Sequence, residues 1–504
     1  MSKPSNVVRH PNARAWKAAK VQLTASQWPM QSRPVDVEIR FGLKALRARA
    51  REAAQNEDHA KAFLRACKTN IIGPRGVSFQ SKARLRSGRP DRRSRAAIEE
   101  HFALWGEAGS PEVTGKLSWA DEQRRAIETV ARDGEAFYRL VSGWDGNAYA
   151  FALQAIDPEV IDVGHNERLA DGRSIVMGIE IDIWRRPIAF HLRPDEPLTQ
   201  FYPNRVTAKK RIRVPADEII HLSLPEWVWQ TRGIPWLSTS LTRMHQLGQY
   251  EEAAIIAARA GASKMGFYEQ GEDADTLIGE NAGEASGAIG DGETSKGDLI
   301  EAFEPGHNSV LPPGYTFKGW DPTFPTADHG PFIKAALRGI ASGLGIGYNQ
   351  LANDYEGVNF SSLRMSALVE RDIWMAFQDW LIGAMHVRVQ RAWLDASLRM
   401  GAITYPNGAP LDITRVDDFK PAGWQGRRWQ WVDPKKEVEA ATLEVALRVR
   451  SISDLIRERG RDPDEVWEEL SEDVKRLDEL GISAAAVLAA TAEPNQEAPD
   501  AEDE

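Results

Sequence analysis

"YNQLANDYEGVNFSSLRMSALVERDIW" (348–374) changes character at its middle. The first half is a polar loop carrying Tyr348, Asn349, Gln350, Asn353, Asp354, Tyr355, Gly357 and Asn359, with no Lys or Arg. The second half opens a helix. From Ser361 to about Leu398 apolar residues recur at helical spacing, which predicts a single helix of roughly 38 residues, about 57 Å long. Ile373, Phe377, Trp380, Ala384 and Val387 form one apolar stripe, and Trp374, Leu381 and Met385 form a second. Two stripes on so long a helix mark a spine or a subunit contact, buried on more than one side. A polar loop hung between two helices is either a functional surface or a connector.

Working upstream, "HGPFIKAALRGIASGL" (329–344) reads as a short helix with Pro331 near its first position, and the glycines of "GLGIG" (343–347) as its stop. The stretch 269–300 is acidic, Gly-rich and poor in large apolar groups, which predicts a loosely packed insertion. Turn-rich short strands are expected over 301–328. Residues 240–260 read as one helix of about 20 residues whose last half, "AAIIAARAGAS", is made of small residues that allow close helix approach. Short β-type runs broken by Asp, Gly, Asn and Pro fill 135–221. Residues 34–67 and 91–132 read as helical, and 70–80 as a strand with a Gly turn. Downstream, helix resumes in 429–460 and stops at Gly460. Asp462, Pro463, Asp464 and Glu465 then make a helix N-terminus: a cap, a proline and acids on the positive helix end. The chain closes on an acidic tail and opens on a basic arm.

Composition narrows the function. The chain has 504 residues and a formal net charge of −10. Tight wrapping of nucleic acid by the whole surface is excluded, because phosphate neutralisation needs a basic surface. Cys67 is the single cysteine, so neither an intrachain disulfide nor a thiolate zinc site can form. No apolar run reaches the roughly 18 residues of a membrane span. The 17 tryptophans point to large buried contacts, inside the subunit or between subunits.

No catalytic constellation, metal site or cofactor site emerges. "GDGETSKG" (290–297) lacks the Gly-Lys pair of a phosphate loop. The ten histidines are scattered, and His191 and His221 on predicted strands read as structural. Asp157, Glu180 and Asp182 are carboxylates that a metal-dependent, DNA-processing enzyme could use. "KARLRSGRPDRRSRAA" (82–97) is the densest basic patch, either a solvated helix face or a contact for nucleic acid or an acidic partner.

Taken together, "WQTRGIPWLSTSL" (229–241), "ARAGASKMGFYE" (258–269), the 348–374 stretch and "WVDPKKEVEA" (431–440) resemble, in this order, the lambda-type portal proteins of tailed phages. "AIDPEVID" (155–162) and "GIEIDIWRRPIAFHL" (178–192) fit the same family, so the resemblance runs from about residue 35 to about 475. It implies a non-enzymatic, helix-rich α+β portal fold in a ring of about twelve copies at one capsid vertex, with DNA passing through the central channel.

On that resemblance 1–34 is an N-terminal arm, 35–236 a β-containing wing, 237–262 the first stem helix and 263–328 an α/β clip. Residues 329–344 are the second stem helix, 345–360 the tunnel loop and 361–398 the spine helix. A wing return (399–432), a helical crown (433–482) and an acidic tail (483–504) follow. Lys334 and Arg338 are expected on the channel face of the second stem helix. The tunnel loop would meet DNA through Tyr348, Asn349, Gln350, Asn353, Asp354, Tyr355 and Asn359, with Asp354 and Glu356 repelling the backbone. Ile373, Trp374, Phe377, Trp380 and Leu381 would pack the spine. Implied partners are further copies of the chain, double-stranded DNA, the terminase large subunit, the major capsid protein and a head–tail adaptor, with no membrane. The place of action is the virion vertex, and the host cytoplasm during assembly. Twelve copies would carry on the order of −120, which keeps DNA from sticking to the walls.

Overall fold

The computed structural model describes residues 32–193, 211–262, 266–270, 315–319, 328–356, 359–429, 434–459 and 461–481. The basic arm, most of the acidic Gly-rich stretch with "GDGETSKG", Gly357, Gly460 and the acidic tail lie outside them.

The chain opens with α1 (Val35–Asn56) and α2 (Asp58–Cys67), which breaks from α1 at Glu57 and winds into a π turn, Lys68–Ile72. The strand expected over 70–80 is therefore only its end, β1 (Ser78–Ser81). The helical reading of 91–132 resolves into α3 (Arg92–Trp105) and α4 (Trp119–Asp133). Helix α4 begins in a capping box between Ser118 and Asp121, which satisfies two of its free N-terminal donors.

The β-rich unit follows as two antiparallel sheets. One has the order β3-β2-β9, from β2 (Glu135–Ser142), β3 (Phe151–Ile156) and β9 (Ile219–Ser223). The other runs β4 to β8 in sequence order: Glu167–Arg168, Ser174–Val176, Ile179–Ile181, Pro187–Leu192 and Ile212–Pro215. A separate apolar cluster around Phe137, Ile161, Ile179 and Phe190 fills the space between them.

Helix α5 (Leu241–Ala262) leads to a two-stranded ribbon, β10 (Gly266–Gln270) with β11 (Tyr315–Gly319). Then come α6 (His329–Leu344), the short α7 (Tyr348–Ala352) and α8 (Phe360–Leu381). A π turn, Ile382–His386, joins α8 to α9 (Val387–Arg399) without a break. After α10 (Val416–Phe419), β12 (Ala422–Gln425) pairs with β1, bringing the chain back to its N-terminal body. Three helices end the described chain: α11 (Pro434–Ala446), α12 (Ile452–Glu458) and α13 (Pro463–Glu479). Asp462 caps α13 from its side chain with Pro463 at the first turn, as the sequence predicts.

The main core gathers tryptophans around α9. Trp105 and Trp393 are fully buried, with Phe102 edge-on to Trp393 at 5.0 Å and Trp105 beside Phe151 at 5.7 Å. The tryptophans do not all bury. Trp184, Trp227 and Trp229 are 79%, 61% and 71% exposed.

The long helix faces the core differently from its sequence reading. Among the described residues up to Met385 its buried side chains are Trp374, Gln378, Leu381 and Met385, and beyond it most of α9 is buried. Of the longer predicted stripe, Phe377 and Trp380 are half-buried against this core, while Ile373 is 37% exposed and stands outside the core cluster. The buried row steps by four, three and four residues, so the second, shorter stripe is the more deeply buried of the two.

Candidate functional site

The polar loop and the helices on either side form one connected junction. Gly345 ends α6 in the left-handed region at φ 70°, where glycine carries no Cβ penalty. Ile346 then turns into the core. Gly347 makes the next anchor: its N–H donates to Glu370 Oε1 of α8 at 2.7 Å. A Cβ on Gly347 would come within 2.0 Å of that oxygen, so a larger residue there would displace the Glu370 carboxylate. Burial pushes the Glu370 carboxyl up, and the Gly347 hydrogen bond only partly offsets this.

The loop itself is not open coil. Tyr348–Ala352 makes one and a half turns of helix, with Leu351 buried as its plug. Tyr348 and Gln350 are half-buried, and the Gln350 Oε1 is buried without a hydrogen bond. Asn349 is also half-buried, whereas Asn353, Tyr355 and Asn359 are exposed.

Lys334 and Arg338 are one turn apart on α6, and both face this loop. Lys334 Nζ lies 3.1 Å from Asp354 Oδ2 and 4.0 Å from Glu356 Oε2. Tyr348 donates its hydroxyl to the same Asp354 oxygen at 2.7 Å. The Arg338 guanidinium lies 5.4 Å from the centre of the Tyr348 ring, in cation–π range. The Tyr348 hydroxyl first, and Lys334 next, hold the Asp354 carboxyl below its ordinary range. Two cations and two carboxylates thus balance on a partly solvated surface. Asp354 is a partner of Lys334, not an isolated repelling charge. Nothing in the spacing of Lys334 and Asp354 announces this pair, because their contact is made by the turn at Gly345.

A second charged constellation has no local sequence signal either. Glu135 is fully buried and accepts from Arg47 at 2.8 Å, Arg232 at 2.6 Å and His221 at 2.9 Å. Burial pushes its carboxyl up, but Arg232, His221 and Arg47 more than reverse that and hold it ionised. Arg51 continues the network to Asp133 and Asp157, both at 2.8 Å. The cluster clamps α1, α4, the β2 strand and the segment before α5 together.

The three carboxylates read as a conceivable metal site are not brought together. Asp157 pairs with Arg51 and caps a short turn through the Glu159 N–H. Glu180 is buried among Arg173, Arg213 and His191. Asp182 accepts from the Trp184 and Arg186 N–H groups of a β turn. Each has a structural task, and among the described residues no group of metal-ligating side chains forms. No helix among them is long and apolar enough to cross a membrane.

Residues 22–378 match the family described as "Phage portal protein, lambda family". The chain is 37% identical over 472 residues to the probable portal protein of Halomonas phage phiHAP-1, across 93% of this chain and 88% of that one. It is 21% identical over 490 residues to portal protein B of Escherichia phage lambda, across 92% and 90%. Among solved structures, a chain from the neck of an empty GTA particle overlaps 88% of this chain and 98% of its own at 12% identity and a TM-score of 0.39, too loose for any argument. A match over most of the chain and a relative of this identity and coverage make it a member of the lambda family of phage portal proteins.

Proposed function

We propose that the chain assembles into a dodecameric ring at one capsid vertex, with α6 and the loop after it facing a channel for double-stranded DNA. The observation that carries this reading is an apolar face left open on α8. Met365, Leu368, Val369 and Ile373 lie on one side of that helix and are 65%, 44%, 56% and 37% exposed, while Trp374 and Leu381 bury its other side. An apolar row of this kind on a helix already packed on its opposite face calls for a protein neighbour. A ring repeats that contact once per subunit.

The balanced charges of the junction suit a channel wall. Lys334 already has a carboxylate partner, so a passing phosphate must compete for it. That makes each contact weak and readily exchanged, as a conduit requires. The family is structural rather than catalytic, and the motor activity would belong to a separate terminase. The terminase large subunit and a head–tail adaptor would dock on the segment holding β10 and β11, and the major capsid protein on the β-rich body. Assembly would take place in the host cytoplasm and the finished ring would reside in the virion. Deleting 349–356 should leave ring formation intact and impair DNA packaging or retention. Loss of rings in that variant would make the segment part of the fold and not of the channel.

A further inference from the structure

The basic stretch 82–97 has no task in the conduit reading. Its first half folds into a tight hairpin, and its second half opens α3. Arg84 bridges to Pro90, the Leu85 N–H donates to the Arg89 carbonyl at 2.8 Å, and Gly88 turns the tip at φ 82°. The base is fixed on three sides. The Arg84 N–H donates to the Asp418 carbonyl at 3.0 Å. Arg415 donates to the Arg84 carbonyl at 2.9 Å and to Asp91 at 3.0 Å. Asp91, itself buried, caps α3 through the Ser94 N–H.

The cations of this region divide into two groups. Lys82, Arg92 and Arg95 face the acids at the start of α13: Asp462, Glu468 at 3.4 Å and Asp464 at 3.8 Å. Arg93 lies over the Tyr405 ring at 4.7 Å. Arg84, Arg86 and Arg89 are different. All three are exposed, and none has an ion-pair partner among the described residues. Asp412 feels the field of Arg86, but its carboxyl is engaged first by Thr414. Three unpaired guanidiniums on a fixed hairpin stand out in a chain of net charge −10. A guanidinium fork matches phosphate oxygens in geometry, and a preformed backbone has little ordering left to do on binding.

We propose that this hairpin is a second nucleic-acid contact, in which Arg84, Arg86 and Arg89 bind the phosphate backbone of duplex DNA without regard to sequence. The choice of duplex DNA as the polyanion rests on the conduit reading; the arginine geometry does not. With only three charges the contact is weak, reversible and strongly salt-dependent. It complements the junction at Lys334, where the cation is already paired.

The test titrates a fluorescent duplex of about 20 base pairs with the full chain, by anisotropy, over a range of salt concentrations. The variants are R84Q/R86Q/R89Q and, for comparison, K61Q, which removes an exposed cation of α2 outside both proposed contacts. At about 0.9 per phosphate contact, the triple variant should lose about 2.7 from the slope of log affinity against log salt. Between about 50 and 200 mM salt the parent chain then loses roughly 40-fold more affinity than the variant. K61Q should keep the parent slope, and equal thermal unfolding of all three proteins separates binding from folding. Equal affinity and slope in the triple variant, or no duplex binding by the parent chain, overturns the proposal. So does binding of a peptide of residues 491–504 that the triple variant loses while duplex binding is unchanged, since the hairpin would then be a protein dock. Absence of rings would count against the conduit reading alone, because the anisotropy result does not depend on ring formation.

Discussion

At the scale of single residues, the buried charges make the sharpest predictions. Glu135 serves Arg47, Arg232 and His221 at once, and the two guanidiniums have no water to fall back on. Glu135→Gln should cost about 3–5 kcal/mol in urea unfolding, because it leaves buried guanidiniums uncompensated. A loss under about 1 kcal/mol would show that water reaches the cluster. His386 offers a pH test. It is fully buried beside Trp119 and Trp424, its Nδ1–H donates to the Leu381 carbonyl at 3.3 Å, and burial pulls its pKa down to about 4. The fold therefore holds it neutral, while the unfolded chain takes up a proton once the pH falls below the ordinary value of 6.5. Its share of stability is complete above that pH and declines as the pH falls toward 4, by about 3 kcal/mol at 1.36 kcal/mol per unit. His386→Phe should flatten this part of the pH–stability curve. Lys334→Gln should speed amide exchange across 348–356 without altering exchange in α8, by freeing Asp354 from α6. The polar make-up of that loop is plain in the sequence. Its pairing is not, because a contact made by folding two segments together across Gly345 leaves no periodic trace.

At the scale of elements, the helices were the legible part. The periodicity of 361–398 anticipates a run that the structure places at Phe360–Arg399, and His329–Leu344 has the bounds read from its glycine stop. Periodicity reports that a helix has an apolar face; it does not say which of two faces meets the core. Here Trp374, Leu381 and Met385 are buried and Ile373 is exposed. The π turn at Ile382–His386 also shifts the helix phase, which a constant spacing of 3.6 residues cannot anticipate. Two substitutions separate the faces. Leu381→Ala should cost the subunit about 2–5 kcal/mol. Ile373→Ala should change it by no more than about 0.5 kcal/mol. On the same open face, Leu368→Asp should leave the subunit folded and abolish ring assembly, as read by sedimentation. Rings that persist in that variant would remove α8 from the subunit contact. The short helix at Tyr348–Ala352 was hidden for a different reason: five residues are too few to show a helical period.

At the scale of the molecule, the order of parts follows the chain. A helical and β-rich body comes first, then α5 and the β10–β11 ribbon, then α6, the junction and the long helix, with β12 returning to β1. That return joins Phe79 to Trp424 and closes the body over a distance no local pattern encodes. The negative net charge, the open face of α8 and the balanced junction are the features on which the proposed DNA-conducting ring rests. Electron microscopy of the purified full-length chain, alone and co-expressed with its capsid protein, tests this most directly. The account predicts closed rings, about twelve-fold, with a central hole. A monomer or dimer that forms no ring under either condition, or a closed particle without an axial hole, would contradict it.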